Sequence, residues 1–149
     1  MTRRQAKILL VEDSYSDQLA VERALEDGRI ECDLHVAKNG REALKMLLKE
    51  SPYENEFQML PDLIMMDINM PVMNGKDALQ KIRSEPSIRH LPVIMLTTSK
   101  RDKDVMESYR LGVNAYLTKP VDDEKFLEVI RHIETFWFEL VVLPSNISS

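Results

Sequence analysis

Apolar and polar residues alternate along this chain in blocks, and the period of the alternation changes from block to block. Short apolar runs fall near residues 7–12, 32–37, 62–67, 92–97 and 114–118. Between them lie stretches with apolar residues at helical spacing: 15–27 (Leu19, Val21, Ala24, Leu25), 39–50 (Ala43, Leu44, Leu47, Leu48), 75–84 (Ala78, Leu79, Ile82) and 101–111 (Val105, Met106, Tyr109, Leu111). A last helical stretch, 123–143, carries Phe126, Val129, Ile130, Ile133, Phe136, Trp137, Leu140 and Val141. Runs that are apolar almost throughout suit strands buried on both faces. The strand–helix order predicts an α/β fold, a doubly wound five-stranded parallel sheet. Gly28, Gly40, Gly75 and Gly112 all sit at segment junctions, the place for stop signals.

Two places break the pattern. Residues 50–61, with Pro52, Asn55 and Pro61, form a connection longer than the usual two to six residues or so between helix and strand. It reads either as a tolerated surface insertion or as a loop that touches a partner. At the other end, Phe138 and Val142 fall outside the apolar stripe of 123–143, so the last two turns look apolar nearly all round. A helix lying on a protein surface should not look like that.

The strand-like runs end on chemistry. Ile8 to Val11 leads into Glu12 and Asp13, and Leu63 to Met66 into Asp67. Val93 to Leu96 leads into Thr97, Thr98 and Ser99, and Ala115 to Leu117 into Thr118, Lys119 and Pro120. In an open parallel sheet these ends share one edge and one crevice, where such folds bind ligands. Three carboxylates, a hydroxyl and an ammonium together suit a hard divalent cation and a phosphoryl group. Carboxylates so placed repel one another, which raises at least one pKa.

Composition narrows the function classes. The chain has 149 residues, 44% apolar and 30% charged, which is a globular composition and enough for one cored domain. A net charge of −5 argues against sequence-independent nucleic-acid binding. Cys32 is the only cysteine, so no disulfide framework or zinc cluster is expected. The apolar stretch after the basic start is too short for a signal peptide or a membrane span, and a cytoplasmic protein is expected. Asn146-Ile147-Ser148 matches a glycosylation acceptor, which has no weight without secretion. His35, His90 and His132 show no ligand spacing and read as structural or surface residues, and the methionines as gap fillers.

Taken together, the acidic pair Glu12-Asp13, the Asp-x-x-Met-Pro-x-Met-x-Gly segment from Asp67 to Gly75, Thr97 and Lys119-Pro120 resemble the receiver domain of two-component response regulators. The resemblance covers roughly residues 6–135 and implies the flavodoxin-like receiver fold. Thr97 follows Asp67 by 30 residues and Lys119 follows Thr97 by 22, as is usual in that family. Asp67 follows Asp13 by 54, which is longer than usual, and the excess falls in the 50–61 connection. The resemblance implies that Asp67 is the phosphoacceptor and that Mg2+ is the cofactor. Asp13, Asp67 and the backbone carbonyl of Asn69 would bind the metal directly, and Glu12, which replaces the usual aspartate, through water. Thr97 and Lys119 would bind phosphoryl oxygens. A cis peptide is expected before Pro120. Tyr116 reads either as plain core or, as the resemblance implies, as an aromatic that moves inward when the threonine shifts.

Residues 1–135 are thus expected to form the receiver and 136–149 a C-terminal extension, with no separate output domain. The Phe136-Trp137 pair, Leu143-Pro144 and the long 50–61 connection resemble the small response regulators paired with cyanobacterial phytochrome histidine kinases. The expected partner is therefore a sensor histidine kinase, a phytochrome. Phosphorelay intermediates and chemotaxis-type receivers remain alternatives. The surplus apolar residues of the last helix and extension predict a homodimer, with the tail folding back on its own domain as the alternative. No nucleic-acid or membrane partner is expected. Two readings from other classes compete. An aspartyl-phosphate phosphotransferase usually needs a second aspartate where this chain has Asn69, and an amide cannot act as a general acid; the protein is expected not to be an enzyme. A nucleotide- or flavin-binding module needs a glycine- or hydroxyl-rich loop after the first strand, where this chain has Glu12-Asp13-Ser14.

Overall fold

A computed structural model of the chain describes residues 6–28, 31–98, 101, 104 and 112–131. Five strands, β1 (Ala6–Val11), β2 (Cys32–Ala37), β3 (Leu63–Asp67), β4 (Val93–Thr97) and β5 (Ala115–Thr118), form one sheet in the order β2-β1-β3-β4-β5. Every neighbouring pair is parallel. The described helices are α1 (Tyr15–Asp27), α2 (Gly40–Leu47), α3 (Gly75–Ser84) and α4 (Asp123–Arg131). Of the helix expected over 101–111 only residues 101 and 104 are described, and Ser99, His132 and the apolar turns carrying Phe136, Trp137, Phe138 and Val142 lie outside the described residues.

Side chains alternate across a strand, and the core divides accordingly. Ile8 and Leu10 of β1, Leu63 and Met65 of β3, and Ile94 and Leu96 of β4 face Val21, Ala24 and Leu25 of α1 and Phe126 of α4. Leu9, Val11, Ile64, Met66, Val93 and Met95 face Ala43, Leu44 and Leu47 of α2 and Ala78, Leu79 and Ile82 of α3. All five residues of β3 and of β4 are buried, which is why both read as unbroken apolar runs.

Helix starts follow short polar patterns. Ser14, Asn39 and Asn74 cap α1, α2 and α3, each accepting the backbone N–H of the residue three positions on. At α2 the Glu42 carboxylate also accepts the N–H of Lys38, the residue before the cap, which ties the entering chain to the first turn. α2 ends at Leu47 although Leu48 continues the apolar spacing, because Lys49 turns left-handed at φ 57°. Gly40 and Gly75 are not stop signals: both begin helices and both are buried.

The 50–61 connection is not a loose surface insertion. Phe57 is buried in the core on the α2/α3 side, and Tyr53 and Leu60 pack against that layer. Its neighbour Glu56 reaches His35 on edge strand β2, with Oε2 2.5 Å from Nδ1. Asp33 Oδ2 stands 3.1 Å from the other ring nitrogen, and the His35 ring lies 4.6 Å from that of Phe57, centroid to centroid. Burial lowers the His35 pKa, but hydrogen bonds to Glu56 and Asp33 and their charges outweigh it and leave it raised. A clasp of three ionisable groups thus fastens the connection to the sheet edge. The Ser51–Pro52 and Lys119–Pro120 bonds are both cis; only the second was expected. Among the described residues, no helix is long and apolar enough to cross a membrane.

Candidate functional site

The acids and Lys119 predicted from the sequence do converge at the carboxyl edge of the sheet. Glu12 and Asp13 follow β1, Asp67 ends β3, Thr97 ends β4, and Lys119 follows β5. β1 and β4 both flank β3, so residues far apart in sequence arrive side by side. Asp67 pairs in register with Leu96, and the Lys119 N–H donates to the Thr97 carbonyl at 2.8 Å, which fixes the end of β5 against that of β4.

One carboxylate oxygen from each of Glu12, Asp13 and Asp67 lies within 4.8 Å of the others. Asp13 is exposed, Asp67 is buried, and Glu12 is wholly inaccessible. The Glu12 backbone is fixed by its N–H to the Ala37 carbonyl and by Gln18 Nε2 to its own carbonyl, both at 2.9 Å. Its side-chain Oε2 accepts the Ser14 N–H at 3.1 Å. Its Oε1 is buried and, although it makes no well-directed hydrogen bond, it meets the Lys119 ammonium at 2.5 Å. That oxygen is therefore neutralised by charge proximity.

Burial drives the Glu12 pKa up, the close Lys119 ammonium and the hydrogen bond from the Ser14 N–H oppose it, and the Asp67 charge adds to the rise; the result is about 7. The expected repulsion among the acids is present, but burial is the larger cause. For Lys119, burial acts downward, and its bonds to Glu12 and Asp17 with the Asp67 charge overcome it and raise the pKa. The ammonium stays charged.

Among the described residues, Lys119 has three carboxylate partners: Glu12 at 2.5 Å, Asp17 at 2.9 Å and Asp67 at 3.1 Å. Asp17 was not singled out from the sequence. Its signal was its place in the first turn of α1, the helix that starts from the same sheet edge.

The segment after Asp67 is tightly shaped. The Met73 N–H bonds back to the Pro71 carbonyl at 2.7 Å, closing a γ-turn around Val72 at φ 66°, a costly conformation for a β-branched residue. The Gly75 N–H donates to the Ile68 carbonyl at 2.8 Å and seats the start of α3 against the end of β3. Asn69 is exposed beside this turn, Thr97 is buried, and Tyr116 is half-buried against the α2/α3-side core. Pro120 is exposed.

The donor set fits a hard cation: carboxylate oxygens only, three of them close together, two in buried residues. An ammonium beside them suits phosphoryl oxygens.

Comparison with known proteins agrees with this geometry. The response regulator Rcp1 of Synechocystis sp. (strain ATCC 27184 / PCC 6803 / Kazusa) is 38% identical over 138 residues, 93% of this chain and 92% of that protein. Its Mn(2+)-bound crystal structure superposes with a TM-score of 0.70, over 93% of this chain and 99% of that one. The bacteriophytochrome response regulator AtBRR is 35% identical with a TM-score of 0.86, covering 95% of this chain and 99% of its own. The phosphorylated cyanobacterial phytochrome response regulator RcpA is 34% identical with a TM-score of 0.73, again over 95% and 99%. Residues 8–131 match the response regulator receiver domain, and the chain belongs to that family of phosphoacceptor signalling proteins.

Proposed function

We propose that Asp67 accepts a phosphoryl group from a sensor histidine kinase, with Mg2+ required, and that the protein signals through the surface change that follows. The observation that carries this is the Lys119 ammonium held 3.1 Å from Asp67 Oδ2, beside the Glu12–Asp13–Asp67 cluster. An Asp67 oxygen bonds phosphorus while the donor's phosphorus–nitrogen bond breaks, and that electron pair leaves on the donor's ring nitrogen. Asp13, Asp67 and the Asn69 carbonyl would hold the metal directly and Glu12 through water. Mg2+, when bound, supplies charge that offsets the phosphoryl oxygens. Lys119 offers those oxygens a fixed ammonium, and Thr97 a hydroxyl from the end of β4. Tyr116, on β5 two strands from Asp67, would repack when Thr97 shifts, and Pro120 holds the turn that presents Lys119.

The relatives at 34–38% identity include phytochrome response regulators, which favours a phytochrome kinase as the donor. Incubation with acetyl phosphate should give a hydroxylamine-labile phosphoprotein in Mg2+ and none in chelator. Labelling at full rate in chelator would refute the ligand set; no labelling under any condition would refute the function.

The same reading divides the chain into a receiver at 1–135 and an extension at 136–149 and pairs two copies through the last helix and extension. Its support is the surplus of apolar residues there, which a twofold contact would cover. The intact protein should sediment as a dimer and a chain ending at Glu134 as a monomer. Monomers in both cases, with and without phosphate, would end the dimer proposal.

A further inference from the structure

Asp17 stands where it can control how strongly Lys119 holds the acidic cluster. The three carboxylate partners of the ammonium match its three N–H donors in number. Two of those partners, Glu12 and Asp67, belong to the cluster suited to a cation. A cation and Lys119 therefore compete for the same buried carboxylates. Among the described residues, Asp17 is the one partner outside the cluster, and it sits at the rim with its side chain 41% exposed.

Its position is set by the start of α1. The Asp17 N–H donates to the Ser14 hydroxyl, and the Ser14 N–H donates to Glu12 Oε2. The next residue, Gln18, donates to the Glu12 carbonyl. The turn that carries Asp17 is thus tied to the residue whose ammonium partner it shares.

Building on the phosphoacceptor reading, we propose that Asp17 is a positioning residue that holds the Lys119 ammonium toward the rim and thereby sets the affinity of the Glu12–Asp13–Asp67 cluster for its divalent cation. Without the Asp17 charge, Lys119 leans wholly on Glu12 and Asp67 and opposes cation entry by competition and by repulsion. Both effects weaken binding. Asp17 touches neither the phosphoryl group nor the cation in this scheme, so its influence passes through Lys119.

The test is calorimetric titration of the full chain with Mg2+ and with Mn2+, without phosphodonor. Asp17→Asn should weaken both affinities about two- to fivefold, the size of one partly screened ion pair. Asp17→Glu should restore them. Glu26→Gln, an equal charge change on an exposed residue of the same helix, should leave them unchanged. In acetyl phosphate labelling, Asp17→Asn should raise the half-saturating Mg2+ concentration more than it changes the limiting rate. Unchanged affinity in Asp17→Asn overturns the proposal, as does an equal loss in Glu26→Gln. A fall in limiting rate with no change in half-saturation also overturns it. The titration needs no phosphoryl transfer, so it decides the role of Asp17 separately from that of Asp67 as acceptor.

Discussion

Asp67→Asn should take up no hydroxylamine-labile phosphate from acetyl phosphate and Mg2+, while its unfolding transition stays cooperative. The amide lacks the anionic oxygen that must bond phosphorus, and among the described residues no neighbouring acid is placed to replace it. Glu12 is wholly buried and committed to Lys119 and the Ser14 N–H. Asp13 is exposed, on a separate strand end. The fold should tolerate the change because the amide is nearly the same size and removes one charge from a crowded acidic group. The check is intact-mass and radiolabel measurement of both proteins side by side. Labelling of the variant at the native level would mean that the acceptor lies elsewhere, even if the cation still binds.

Gly75→Ala should produce the largest loss of stability of any single methyl added near the site. A Cβ at this position would lie 2.3 Å from the Asp67 carbonyl oxygen and 3.0 Å from the Ile68 Cα, and both are backbone atoms. It would also lie 2.7 Å from the Met95 Cε, which can swing away. Since the backbone atoms cannot, α3 must retreat from β3, breaking the bond from the Gly75 N–H to the Ile68 carbonyl. The expected cost is about 3 kcal/mol or more, at the upper end for overpacking. Urea unfolding monitored by far-ultraviolet circular dichroism measures it. The variant should also label poorly, because the displaced turn is the one that follows Asp67. A midpoint close to that of the native protein would show that α3 can start without the close approach.

Glycine at that position illustrates how far the residue pattern can be read. Gly75 is legible as a junction, but the reason for it is a contact distance that appears only once α3 is docked. Much else was legible. Helices at 15–27 and 75–84 match α1 and α3, and each strand lies within a residue of its expected limits. Strands buried on both faces announce themselves as unbroken apolar runs. The site acids and Lys119 were legible for a related reason: polar residues placed directly after such runs must emerge at one sheet edge.

The connection at 50–61 shows where local pattern fails. Nothing in its composition separates a surface insertion from an anchored segment. Phe57 enters the core, and Glu56 meets His35 from 21 residues away. The end of α2 was also missed, since Leu48 keeps the apolar period while the backbone at Lys49 has already turned left-handed.

By itself, then, the sequence determined the elements, the parallel α/β class and the set of chemical groups at the strand ends. These depend on periodicity and on which residue follows an apolar run, both of which are local. Tertiary structure alone decided which of those groups touch. The Lys119–Asp17 pair spans 102 residues and the fastening of the 50–61 connection crosses to an edge strand. The raised pKa of Glu12 depends mostly on burial. Such contacts arise from the packing of separate elements, and a linear pattern carries no distance between them.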